Sequence, residues 1–126
     1  MGVDYDPHVI EAARNICNIV QTGGKYSFIQ HDFDKDAHTL LTNPVFAEFR
    51  PDVIFILSLR GWVKNFELFS NICNKYKVPI FWEGALDMDF FGDNRVETSL
   101  IMENSFDDIT GKYDRTTYFI KYLDHE

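Results

Sequence analysis

The sequence predicts an α/β fold with a mostly parallel sheet that ends in an antiparallel hairpin. Short β-rich runs alternate with amphipathic stretches, the pattern of strands joined by crossover helices. The most apolar run, residues 53–57, starts with a β-branched residue and suits a strand buried on both faces. The last two β-rich runs, 106–112 and 116–122, are separated by three residues, too few for a parallel crossover.

Met1-Gly2-Val3-Asp4 has the character of the end of a first strand. Asp6 is placed to cap a helix whose first position is Pro7, where a missing N–H costs nothing. Val9, Ala12, Ala13, Ile16, Ile19 and Val20 recur at spacings of three and four, one apolar face of that helix, and Gly23-Gly24 ends it. Residues 26–30 read as the next strand, leading into the polar run from His31 to Asp36. A short helix over 37–41 follows, and Asn43-Pro44 supplies the cap and first position of another. After the strand at 53–57, residues 58–62 form its exit loop. Residues 63–76 place Phe66, Leu68, Phe69, Ile72 and Cys73 near one helical face. Residues 78–82 make another strand, its proline near the start, closed by Glu83-Gly84. Asn94 and Glu97 have capping-box spacing, which predicts a helix over 95–103. The turn of the final hairpin falls at 113–115.

The 126 residues allow one domain, and no repeat, low-complexity tract or linker divides them, so a single domain over 1–126 is expected. Hydrophobic residues make up 45% and aromatics 16%, enough for a packed core and against disorder. Twenty acidic against twelve basic residues give a net charge of −8, which argues against a dedicated phosphate-backbone binder. The run 53–57 is too short to span a bilayer, and no basic-then-apolar leader opens the chain. A cytoplasmic protein with reduced Cys17 and Cys73, and no membrane partner, is therefore expected. Neither cysteine has metal-ligand spacing, and Ser58 lacks the Gly-x-Ser-x-Gly elbow of a hydrolase.

The chemistry concentrates at strand exits. Asp4 ends the first strand, Asp32 follows the second, and Ser58, Arg60 and Trp62 leave the third. In an open parallel sheet ligands sit outside the carboxyl ends of strands, so these loops can share a crevice. A carboxylate at the first exit can accept hydrogen bonds from both hydroxyls of a ribose. A second can accept from an exocyclic amine, and Tyr5 and Phe33 offer faces to a purine. Each residue also has a plainer reading. Asp4 can belong to helix initiation, Asp32 to a solvated loop, Arg60 to an ion pair, and Trp62 to packing at a helix start.

The run Gly2-Val3-Asp4-Tyr5-Asp6-Pro7-His8-Val9-Ile10-Glu11-Ala12-Ala13-Arg14 resembles the second strand and following helix of class I S-adenosylmethionine-dependent methyltransferases. Residues 51–58 are similar to that family's fourth strand, Trp82-Glu83-Gly84 to the exit of its fifth, and the C-terminal segment with Asp114-Arg115 to its reversed seventh. The resemblance implies a Rossmann-like methyltransferase sheet lacking its first strand, hence part of a longer enzyme. It implies S-adenosylmethionine as cofactor, held weakly or not at all by this piece alone. Asp4 would bind the ribose, Tyr5 would lie against the adenine, Asp32 would accept the adenine amine, and Phe33 would sit beside the ring. Ser58 would face the cofactor and Arg60 and Trp62 the substrate, a small molecule or an RNA. No general base is assigned; His31 lies near the crevice. No Gly-x-Gly-x-Gly turn occurs in the chain. A non-catalytic Rossmann-like association module and a different nucleotide-binding α/β enzyme are the alternatives. Exposed strand edges would promote self-association.

Overall fold

The computed structural model describes residues 1–20, 23–34, 37–57, 63–64, 66–107 and 109–123, with the backbone alone for 37–39, 66 and 114. The chain divides into two compact units, Met1–Phe49 and Arg50–Glu126.

In the first unit, β1 (Gly2–Asp4) pairs in parallel with β2 (Phe28–Gln30), and Gly2, Val3 and Asp4 face Phe28, Ile29 and Gln30. A side chain at position 2 would meet the Phe28 ring, with Cβ only 2.8 Å from Cδ1, so the ring lying over position 2 requires glycine there. Between them runs α1 (Pro7–Val20), followed after β2 by α2 (Ala37–Thr42) and α3 (Pro44–Glu48). Local signals set these helix starts. The Asp6 carboxylate accepts from the His8 N–H at 2.8 Å, and the Asn43 side chain accepts from the Val45 N–H at 3.0 Å. Arg14 ties α1 to β2 by donating to the Phe28 carbonyl at 2.8 Å.

The apolar face expected on α1 is not covered. Ile10 is the buried residue of the helix, whereas Val9, Ile16, Ile19 and Val20 are exposed. The unit's sheet consists of two three-residue strands, too small a platform for a 14-residue helix.

In the second unit the elements are β3 (Ile54–Leu57), α4 (Phe66–Asn74), β4 (Ile80–Glu83), a single 3-10 turn (Met88–Phe91), β5 (Val96–Asp107) and β6 (Lys112–Tyr122). The strand order is β3-β4-β6-β5. β3 and β4 are parallel, while β6 is antiparallel to both β4 and β5, so β3, β4 and β5 run one way and β6 the other.

This architecture corrects the expectation of a mostly parallel, Rossmann-like methyltransferase sheet. Among the described residues, parallel pairing is confined to two short ladders, β1–β2 and β3–β4, in separate sheets. In the four-stranded sheet, two of three ladders are antiparallel, and the longest is β5–β6. The helix expected over 95–103 is strand. Asn94 does not form the capping box; its backbone and side chain both donate to the Phe91 carbonyl, closing the 3-10 turn. Val96 and Thr98 then pair with Tyr122 and Ile120. The hairpin is present, but its turn lies before Lys112 rather than at 113–115, with Gly111 in the left-handed region at φ 69°.

One sheet face carries the core. Ile56 and Trp82 are cross-strand neighbours, as are Ile80 and Ile120, and all four are at most 1% exposed. Phe90 packs edge-on against Trp82 and Phe69, with ring centroids 5.0 and 5.4 Å apart. The Trp82 indole N–H donates to the Ala85 carbonyl at 3.0 Å, so the buried ring leaves no polar atom unmet. The opposite face bears a row of rings, Phe55, Phe81 and Phe119, with centroids 5.1 and 5.2 Å apart. Here β3 departs from its expected burial on both faces: Phe55 is 59% and Leu57 58% exposed. Its position at the sheet edge is the reason.

A buried polar chain joins α4, the 3-10 turn and β6. The Tyr122 hydroxyl donates to the Asn74 side-chain oxygen, and the Asn74 amide donates to the Phe90 carbonyl at 2.7 Å. Burial pushes the neighbouring Cys73 thiol up to about 12, and burial followed by the Cys73 charge raises the Tyr122 phenol. Both groups are therefore neutral at neutral pH, and Cys73 provides no thiolate nucleophile. Tyr122→Phe leaves Asn74 without its donor and should destabilise the chain by about 1–3 kcal/mol in urea unfolding. An unchanged midpoint would show that the chain contributes nothing.

Candidate functional site

The strand ends of the first unit bring together four of the residues singled out in the sequence. Because β1 and β2 are parallel, their carboxyl ends lie on the same side, about 4.8 Å apart across the ladder. Asp4 ends β1 and faces Gln30, and the His31 N–H donates to the Asp4 carbonyl at 2.8 Å. Asp32 therefore leaves the sheet one residue beyond the last interstrand bond. Gln30 reaches across to the Tyr5 carbonyl at 2.8 Å and fixes the first loop to the second strand.

The two carboxylates are held alike. One oxygen of Asp4 accepts from the Asp6 N–H, and one oxygen of Asp32 accepts from the Asp34 N–H, both at 2.9 Å. Each is thus oriented by its own loop. The second oxygen of each takes no hydrogen bond among the described residues. Both side chains are partly buried, so they retain access to solvent and to a ligand. Tyr5 is 64% exposed, a free aromatic face beside Asp4. Phe33 is half-buried and stands edge-on to the buried His31, ring centroids 5.1 Å apart. Two anchored acceptors beside two rings suit a flat, donor-rich ligand bearing vicinal hydroxyls or an amine.

Ser58, Arg60 and Trp62, the third part of the expected constellation, lie outside the described residues. Among the described residues, no three His, Cys, Asp or Glu side chains come together as a metal site, and no helix is long and apolar enough to cross a membrane.

The second unit has a charged cluster that sequence reasoning missed. Arg115 on β6 pairs with Glu83 at the end of β4 at 3.0 Å and with Asp107 at 3.4 Å. Glu83 and Arg115 are 32 residues apart, and only the β4–β6 register, with Glu83 opposite Thr117, makes them neighbours. A local signal was available for Asp107. An aspartate four residues before Gly111 marks a turn, and its carboxylate accepts from the Ile109 N–H at 2.9 Å. That bond first, then the Thr110 N–H and the Arg115 charge, lowers the Asp107 pKa from its ordinary 3.8. A depressed folded value means that the stabilisation is complete above the unfolded value and is lost as pH falls through the folded one. A carboxyl NMR titration should therefore find Asp107 below 3.8, and Asp107→Asn should flatten the acid-side loss of hairpin structure. An ordinary titration midpoint would contradict this arrangement.

Comparison with protein families, with curated proteins and with solved structures found no match to this chain.

Proposed function

We propose that the chain is part of a longer S-adenosylmethionine-dependent methyltransferase, and that its first unit contributes the adenosine half of the cofactor site. The observation that carries this reading is the pair of anchored carboxylates on adjacent parallel strand ends, each with an oxygen left for a ligand. Asp4 accepts from the ribose hydroxyls, and Asp32 accepts from the adenine amine. Tyr5, exposed beside Asp4, lies against the base, and Phe33 borders it. These residues fit the adenosine portion by their chemistry: acceptors for its hydroxyls and amine, rings for its purine.

The cofactor supplies a methyl group on a sulfonium, already activated for displacement. The protein's task is then alignment of the acceptor with that methyl. Ser58, Arg60 and Trp62 lie outside the described residues, and the proposal rests on the first unit alone. The acceptor is a small molecule or an RNA, and the protein is cytoplasmic.

Titration of S-adenosylhomocysteine against the chain, and against a form extended at its N-terminus by the residues encoded there, tests the proposal. Binding by the extended form that Asp4→Ala weakens is the expected result. Absence of binding by both forms, or an Asp4→Ala variant that binds as well as its parent, would overturn it.

A further inference from the structure

The peptide group between Tyr5 and Asp6 is held at both ends by side chains. Its carbonyl oxygen accepts from the Gln30 side-chain amide at 2.8 Å, and its N–H donates to the Asp4 carboxylate at 2.9 Å. Asp4 and Gln30 are themselves partners across the β1–β2 ladder. The His31 N–H donates to the Asp4 carbonyl at 2.8 Å, and the Gln30 amide adds a side-chain rung one residue further along the first chain segment.

Core packing does not fix this peptide group. Tyr5 is 64% exposed, and Gln30 is exposed as well. A planar peptide group turns as a unit when ψ before it and φ after it change together. Such a turn between Tyr5 and Asp6 would swing the Asp6 N–H away from Asp4. The bond from Gln30 opposes that turn, and a carbonyl that accepts a hydrogen bond polarises its own N–H into a stronger donor. Gln30 thus fixes the peptide plane, the plane aims the Asp6 N–H, and that N–H holds one oxygen of Asp4. The other oxygen is the one left for a ligand.

We propose that Gln30 is a positioning residue of the adenosine site: acting through the Tyr5–Asp6 peptide group, it holds the Asp4 carboxylate at the angle that receives the ribose hydroxyls. The inference rests on the methyltransferase reading, in which Asp4 is the ribose acceptor. A plainer role, tying a loop to a strand, predicts a loss of stability but no coupling between Gln30 and Asp4 in binding.

Calorimetric titration of S-adenosylhomocysteine against the N-terminally extended form and its variants at Gln30, with and without Asp4→Ala, separates the two roles. Gln30→Met keeps the length of the side chain and removes its donor. It should raise the dissociation constant about three- to tenfold, the contribution of one net hydrogen bond. Gln30→Glu, whose carboxylate cannot donate and repels the Tyr5 carbonyl, should weaken binding at least as much. In the Asp4→Ala background, Gln30→Met should change binding by less than about twofold, because the group it acts through is gone. Suppose Asp4→Ala weakens binding, yet Gln30→Met binds like its parent or loses the same factor in both backgrounds: the proposal is then overturned and the methyltransferase reading stands. An extended form that does not bind, or one indifferent to Asp4→Ala, would overturn that reading and this inference with it.

Discussion

Trp82→Ala should lower stability by about 3–5 kcal/mol, the range for removing a fully buried large aromatic. Trp82 is wholly buried and sits beside Ile56 in the ladder. Phe90 stands edge-on against it at 5.0 Å, and Phe91 is the next ring at 6.2 Å. The substitution removes the indole from this cluster and leaves the Ala85 carbonyl without its donor. Against a typical total of about 5–15 kcal/mol, a loss of that size would leave the second unit marginal or unfolded. Urea unfolding followed by circular dichroism measures it. Trp82→Phe, which retains most of the ring volume, should cost less. A loss under about 1 kcal/mol for the alanine variant would mean that the indole is not the centre of this core.

The second large effect is on binding. Asp4→Ala should weaken S-adenosylhomocysteine binding by about one to two orders of magnitude, since a hydrogen bond to a charged acceptor contributes about 1.5–3 kcal/mol. Asp4 also accepts from the Asp6 N–H, so the variant disturbs the entry to α1. Asp6→Ala disturbs the same helix start without removing the proposed ribose acceptor. If the loss belongs to the ligand contact, calorimetric titration should show a much smaller effect for Asp6→Ala. Equal losses in the two variants would assign the effect to the helix start.

Features encoded within a few residues were legible in the sequence. The start of α1 at Pro7, the Asn43 cap of α3 and the carboxylates at the ends of β1 and β2 all depend on neighbours two positions away. Features set by distant strands were not. Residues 95–103 follow the capping-box spacing of Asn94 and Glu97, and the decisive contact is the ladder to β6, some twenty residues on. Once β5 is a strand, the sheet order and the Arg115–Glu83 pair follow from register, which a linear pattern does not encode. Gly111 was the overlooked local cue: its left-handed backbone marks the hairpin turn. The exposed faces of α1 and β3 were misjudged for a related reason, because apolar periodicity shows which residues can be buried and not whether a partner surface exists.

The most direct test of the proposed site is amide NMR mapping of S-adenosylhomocysteine binding to the chain and to its N-terminally extended form. Shifts concentrated at residues 4–6 and 31–34, with little change across β5 and β6, are the expected result. Saturating ligand that leaves those residues unmoved in both forms, or moves only residues of the second unit, would contradict the assignment of Asp4 and Asp32.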